Sequence, residues 1–167
     1  MTTETFFQIR KILDENKVEY KHLTHEHVHT SEDAAKIRGT SLSEAAKAII
    51  LKVEKKDSDS NKSKSYEFIQ AVIAGDQRID LKKLRNYLNS KNIALASPDE
   101  VLERTGCTIG SVPPFGILFN IPVYMDESLL EKDKIVFSAG THNDSIMMKP
   151  IDYVRIIAPT IAEFKKE

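Results

Sequence analysis

The sequence has one cysteine, Cys107, and no tryptophan. A lone cysteine rules out an intrachain disulfide and suits a reducing compartment. No stretch approaches the roughly 20 consecutive apolar residues that a membrane-spanning helix needs. The opening segment, MTTETFFQIRKILDE, is charged and amphipathic and lacks the apolar run of a secretory signal. Charge of one sign is also missing: 24 Lys and Arg stand against 25 Asp and Glu, a net charge of −1. That balance supplies no global pull toward nucleic acid but leaves room for a local basic face. Lys82, Lys83, Arg85 and Lys91 form one such cluster, although a solvated helix face is the commoner origin of such a pattern. The expectation is a cytoplasmic protein without membrane association.

Hydrophobic residues at 41% and charged residues at 29% over 167 positions suit one globular domain, residues 1–167. Phe6, Ile9, Ile12 and Leu13 recur at helical spacing, which predicts an opening helix over 4–16. Val18–Leu23 reads as a strand, and Thr30-Ser31-Glu32-Asp33 as a cap opening a helix that Gly39 stops. Ser41-Leu42-Ser43-Glu44 is a second capping pattern before a β-branched run, Ala48–Val53, that reads as a buried strand. Residues 54–65, EKKDSDSNKSKS, have almost nothing apolar to bury and predict a mobile hairpin loop leading to a returning strand, Tyr66–Ala74. Asp80 and Ser97-Pro98-Asp99-Glu100 open two further helices. Ile117–Met125, Lys134–Ser138, Ile146–Met148 and Val154–Ile157 read as strands. Irregular alternation with frequent hairpins favours an α+β (mixed α/β) fold over a doubly wound sheet.

Three places invite chemistry. His25, His27 and His29 lie two residues apart, so an extended backbone would project them from one face toward a metal; a polar edge segment is the competing reading. Cys107 with His142 as base has no recognised nucleophile signature around it, and a small core cysteine explains it better. Lys47 is the third. At the start of a buried strand it shares its parity with Ile49, Leu51 and Val53. Lysine is rarely buried without a partner or a task, so it either serves an anionic group in a cleft or snorkels to solvent. Two loops could complete such a cleft. GSVPPFG (110–116) brings backbone close to a ligand and stiffens the approach with two prolines, and SAGTHN (138–143) follows a strand directly.

In order along the chain, TSEDAAKIRGTSLSEAAKAIILK (30–52), DLKKLRNYL (80–88), LASPDEVLERTG (95–106), GSVPPFG (110–116) and VFSAGTHNDSI (136–146) resemble the YbaK family of aminoacyl-tRNA deacylases, the prolyl-tRNA-synthetase-associated editing domains. The resemblance implies a compact fold with a central mixed, partly closed sheet and flanking helices. It also implies hydrolysis of the ester between a wrong amino acid and the 3′-terminal adenosine of tRNA, with no metal or organic cofactor. Lys47 matches the family's essential lysine and Gly110 the glycine whose backbone lines the catalytic pocket. Thr30, Ser111, Pro113, Gly116, Ser138, Gly140 and His142 fall in segments that border the substrate. Expected partners are aminoacyl-tRNA and an aminoacyl-tRNA synthetase. The RGTSLSEAAKA stretch is closer to members that clear Ser- or Thr-tRNA than to the cysteine-specific type. The rival reading is a catalytically silent module that binds tRNA or a synthetase.

Overall fold

The computed structural model describes residues 2–27, 30–56 and 65–167. The first helix, α1 (Thr2–Glu15), carries Phe6, Ile9 and Leu13 on one stripe, all buried. Lys17, at a φ of 56°, ends it and turns the chain into β1 (Tyr20–Thr24). β1 pairs antiparallel with β7 (Asp144–Met148), which pairs antiparallel with β6 (Ile135–Ser138). The α1 stripe packs on this three-stranded sheet in one core with Phe137, Ile146, Met148 and the fully buried Tyr153.

The second sheet has five strands. β2 (Ala46–Glu54) and β3 (Tyr66–Ala74) form a long hairpin, with Lys47 opposite Ile73 and Glu54 opposite Tyr66. β4 (Asn92–Leu95) adds antiparallel to β2. On the far side β5 (Val123–Asp126) runs parallel to β3, and β8 (Thr160–Ala162) parallel to β5. Both faces are covered, which is why β2 is apolar almost throughout rather than alternating. Leu51 and Val53 pack with Leu84 of α3 (Leu81–Leu88), while Ile50 packs with Val101 of α4 (Pro98–Thr105) on the opposite face. Burying such a side chain stabilises by about 1.5–3 kcal/mol, so both helices are held chiefly by these contacts. Their ends are set locally. Asp80 and Ser97 accept the backbone N–H of Lys83 and Glu100, and Gly106 closes α4 in the left-handed region at φ 72°.

A parallel bridge between Ala45 and Val136 stitches the two sheets together. The mixed α+β class is as expected, but the single partly closed sheet is replaced by two sheets, neither of which closes on itself. Other expectations are corrected too. Val154–Ile157 is helical, within α5 (Pro150–Ile157): Pro150 fits a first helical turn, and Tyr153 and Ile157, four apart, are the buried pair. Ile117–Met125 is not one strand. Gly116–Phe119 forms a 3₁₀ turn that Asn120 ends at φ 56°, and the strand begins at Val123. The β2–β3 hairpin continues past its strands through Lys55 N–H to Ser65 O, 3.0 Å. The expected mobile loop 54–65 otherwise falls on 57–64, outside the described residues. Among the described residues no helix is long and apolar enough to cross a membrane.

Candidate active site

An open cavity of about 290 Å³ sits at the seam of the two sheets. Its walls come from the segment after β1 (His25, His27), from α2 (Ser31–Arg38), from the first residues of β2, from the loop after α4 (Ile109, Gly110, Val112) and from the end of β6 with its following loop (Phe137, Ser138, His142). Thr30 lines the cavity and also caps α2, accepting the Asp33 N–H at 3.0 Å. Gly39, at φ 71°, ends that helix so that the chain can turn back into β2.

Lys47 lies where β2 emerges from the sheet, half-buried, its ammonium making no hydrogen bond or ion pair to another described residue. Desolvation, aided by the charge on Arg78, lowers its pKa below that of an ordinary lysine. Burial of an unpaired ammonium is unfavourable in itself, so Lys47 is an available cation rather than a structural one.

Gly110 faces it across the cavity with a φ of +92°, a backbone conformation suited to glycine. A Cβ there would stand 3.2 Å from Cε1 of His142. His142 is placed from two further directions: its Nε2 lies 2.8 Å from the Thr108 hydroxyl, and its ring stacks on His27 with centroids 4.3 Å apart. Gly110 therefore lets the backbone and the imidazole close on one another at the cavity mouth.

Ser138 also lines the cavity, and its Oγ accepts from Nη2 of Arg38 at 3.3 Å. Arg38 Nε donates to Ser145 Oγ at 2.8 Å, and Ser145 Oγ lies 2.7 Å from His25 Nε2. Desolvation pushes the Arg38 guanidinium down to a pKa of about 10.

Ser111, Pro113, Gly116 and Gly140 do not line the cavity. Ser111, fully buried, donates its hydroxyl to Thr108 O at 2.8 Å, and its carbonyl accepts the Gly140 N–H at 3.0 Å, tying the two loops together. Pro113 O accepts from Gln70 Nε2 at 2.9 Å, while Gly116 N–H donates to Gln70 Oε1 at 3.0 Å. A Cβ on Gly116 would stand 2.5 Å from Ile121 O, so its lack of a side chain serves packing. Gln70 is fully buried on β3 and straps the proline loop with both ends of its amide. The histidine run divides: His25 and His27 reach the cavity, while His29 lies outside the described residues. No cluster suited to a metal ion occurs among the described residues. Cys107 is buried, its thiol pKa raised by desolvation, and it does not line the cavity. Sequence reasoning missed Arg38 and Gln70. Arg38 carried a signal, since it sits four residues after Ala34 on one helix face; Gln70, a polar residue within the apolar run 68–74, carried another.

The sequence profile of the aminoacyl-tRNA editing domain matches residues 25–156, and the chain belongs to that family. It is 35% identical over 156 residues to the multifunctional Ser/Thr-tRNA deacylase ProXp-y of Escherichia coli K12, covering 93% of this chain and 89% of that one. It is also 32% identical over 109 residues to a segment of the proline–tRNA ligase of a Sulfurihydrogenibium species, 65% of this chain and 17% of the ligase. A crystal structure described as a proposed trans-editing enzyme for prolyl-tRNA synthetase superposes with a TM-score of 0.78 at 23% identity, covering 98% of both chains, and shares the fold.

Proposed function

We propose that the chain, acting as one unit over residues 1–167, is a trans-editing deacylase. It hydrolyses the ester between a small, wrongly attached amino acid (Ser, Thr, Ala or Cys) and the 3′-terminal adenosine of tRNA. The observation that carries this reading is the unpaired, half-buried Lys47 opening into the same cavity as the Gly110 backbone. An aminoacyl ester is already activated, so catalysis needs mainly a positioned water and stabilisation of the tetrahedral oxyanion. The Lys47 ammonium and the Gly110 loop amides supply donors for that charge. Thr30, Ser138 and His142 border the substrate, while Ser111, Pro113, Gly116 and Gly140 act by holding the two loops in place. A cavity of about 290 Å³ has room for a short side chain with its ester. Its partners are aminoacyl-tRNA and a synthetase that supplies the mischarged product, and it works in the cytoplasm.

The test is a panel of mischarged tRNAs incubated with the purified chain and with Lys47→Ala. We expect turnover of at least one small-residue ester and a loss of about 10²–10³-fold or more in Lys47→Ala, the scale for removing an oxyanion donor. The melting temperature should stay within about 2 °C of wild type, because Lys47 gives up no partner. Full activity in Lys47→Ala sinks the catalytic assignment. Binding of tRNA without turnover of any ester supports the silent module instead.

A further inference from the structure

Arg38 brings a second cation to the cavity wall, beside Lys47. It is largely desolvated, and no carboxylate pairs with it among the described residues. Two of its five N–H groups are used, on Ser145 and Ser138. The others have no acceptor among the described residues, although the side chain lines the cavity. A partly buried guanidinium with spare donors is less well solvated than one on the surface and can take an acceptor from a ligand.

Its surroundings say what it faces. Ala34, one turn earlier on α2, is buried, as are Ala45 and Phe137, and all three line the cavity beside it. Ile109, His27 and Thr30 are the exposed side chains of the lining. Arg38 therefore stands among the buried, apolar part of the lining, which suits a short side chain better than a hydrated phosphate. Ser138 Oγ already accepts from Nη2, so its own proton is directed elsewhere, and both groups present donors.

We infer that Arg38 is the specificity-determining residue of the cavity: with Ser138 it forms a wall of hydrogen-bond donors that takes the side-chain hydroxyl oxygen of an esterified Ser or Thr and disfavours the methyl of Ala. The inference rests on the deacylase reading above and deepens it. Ser145 and His25 position the guanidinium from behind, through Ser145 Oγ. A methyl group would leave the donors without an acceptor in a poorly solvated site, which is the stronger way to reject an analogue that lacks the hydroxyl.

The experiment measures kcat/KM of the full chain on seryl-, threonyl- and alanyl-esters of the same tRNA body, for wild type, Arg38→Met, Arg38→Lys and Ser138→Ala. Wild type should favour the seryl ester over the alanyl ester. Arg38→Met, which keeps length but removes every donor, should lower that ratio by about 10–100-fold. Arg38→Lys should recover part of it, Ser138→Ala should lower it by about 10-fold, and the Arg38→Met/Ser138→Ala pair should lose less than the product of the two. Equal losses on all three esters overturn the inference and assign the guanidinium to a part common to every substrate. If Arg38→Met does not fold, Ser138→Ala, which deletes one partly exposed hydroxyl, decides alone by the same ratio. A wild-type chain inert on every ester overturns the deacylase reading and this inference together; an active one with unchanged ratios in the variants overturns this inference alone.

Discussion

Gln70→Leu is the sharpest test of how the site is built. Gln70 is fully buried and uses both ends of its amide on one loop, donating to Pro113 O and accepting from Gly116 N–H. Leucine has a similar volume and no polar atom, so both backbone groups lose their partner. Each unsatisfied buried group costs about 1–3 kcal/mol, or about 2–6 kcal/mol for two. The added apolar burial returns about 1 kcal/mol. The net loss is about 1–5 kcal/mol; at its centre, about 3 kcal/mol, a chain of this length loses about 6–12 °C in Tm. Urea denaturation followed by far-ultraviolet circular dichroism gives the free energy, with the slope m as a check that the unfolded state is unchanged. Deacylation is then assayed well below the new midpoint, where a displaced Gly110–Gly116 loop should lower kcat/KM in protein that is still folded. Gln70→Glu adds a diagnostic of sign. Its ionised carboxylate faces Pro113 O as acceptor against acceptor, and protonation restores a donor, so its deficit relative to wild type should shrink as pH falls. A Gln70→Leu chain within about 0.5 kcal/mol of wild type and fully active would refute the strap.

Gly110→Ala puts a Cβ 3.2 Å from His142 at a φ of +92°. A non-glycine residue there costs about 1–2 kcal/mol, and activity should fall by more than that loss of stability explains, measured as kcat/KM against Tm. The Glu100 carboxylate, hydrogen-bonded by Lys52 and by the Ser97 N–H, has its pKa lowered from 4.5 to about 2. A folded pKa below the unfolded one means the stabilisation is complete above about pH 4.5 and disappears as pH falls toward 2. Glutamine keeps the capping role, so the stability gap between wild type and Glu100→Gln should close over that window in acid titrations of the unfolding midpoint; a gap independent of pH would refute the Lys52–Glu100 contribution.

The caps at Thr30, Asp80 and Ser97 were legible because each is a local event: a side-chain oxygen meets an N–H two or three residues away. β2 was legible from its β-branched run, and Lys47 from its position at the head of that run. Val154–Ile157 misled for the same reason. Its residues look like a strand, and the decision for helix comes from Pro150 and from the burial of Tyr153 with Ile157 against α1 and the first sheet. Strands β4 and β8 escaped notice because they are short and each lies at an edge of its sheet, where pairing with β2 or β5, distant in sequence, creates them. Within the site, motif order gave Lys47 and the Gly110 loop but not the division of labour. Glycines 116 and 140 carry the same letter as Gly110, yet Gly116 is a packing constraint and Gly140 a tie to Ser111. Arg38 and Gln70 act through partners 100–107 and 43–46 positions away, separations at which no local pattern reports.

The bridge between Ala45 and Val136 has a mechanical consequence. Lys47 rides on one sheet and Ser138 on the other, each within two residues of that bridge, so the cavity behaves like the jaws of a calliper with its pivot close to the tips. A pivot so near converts a change in the angle between the sheets into a small change of opening.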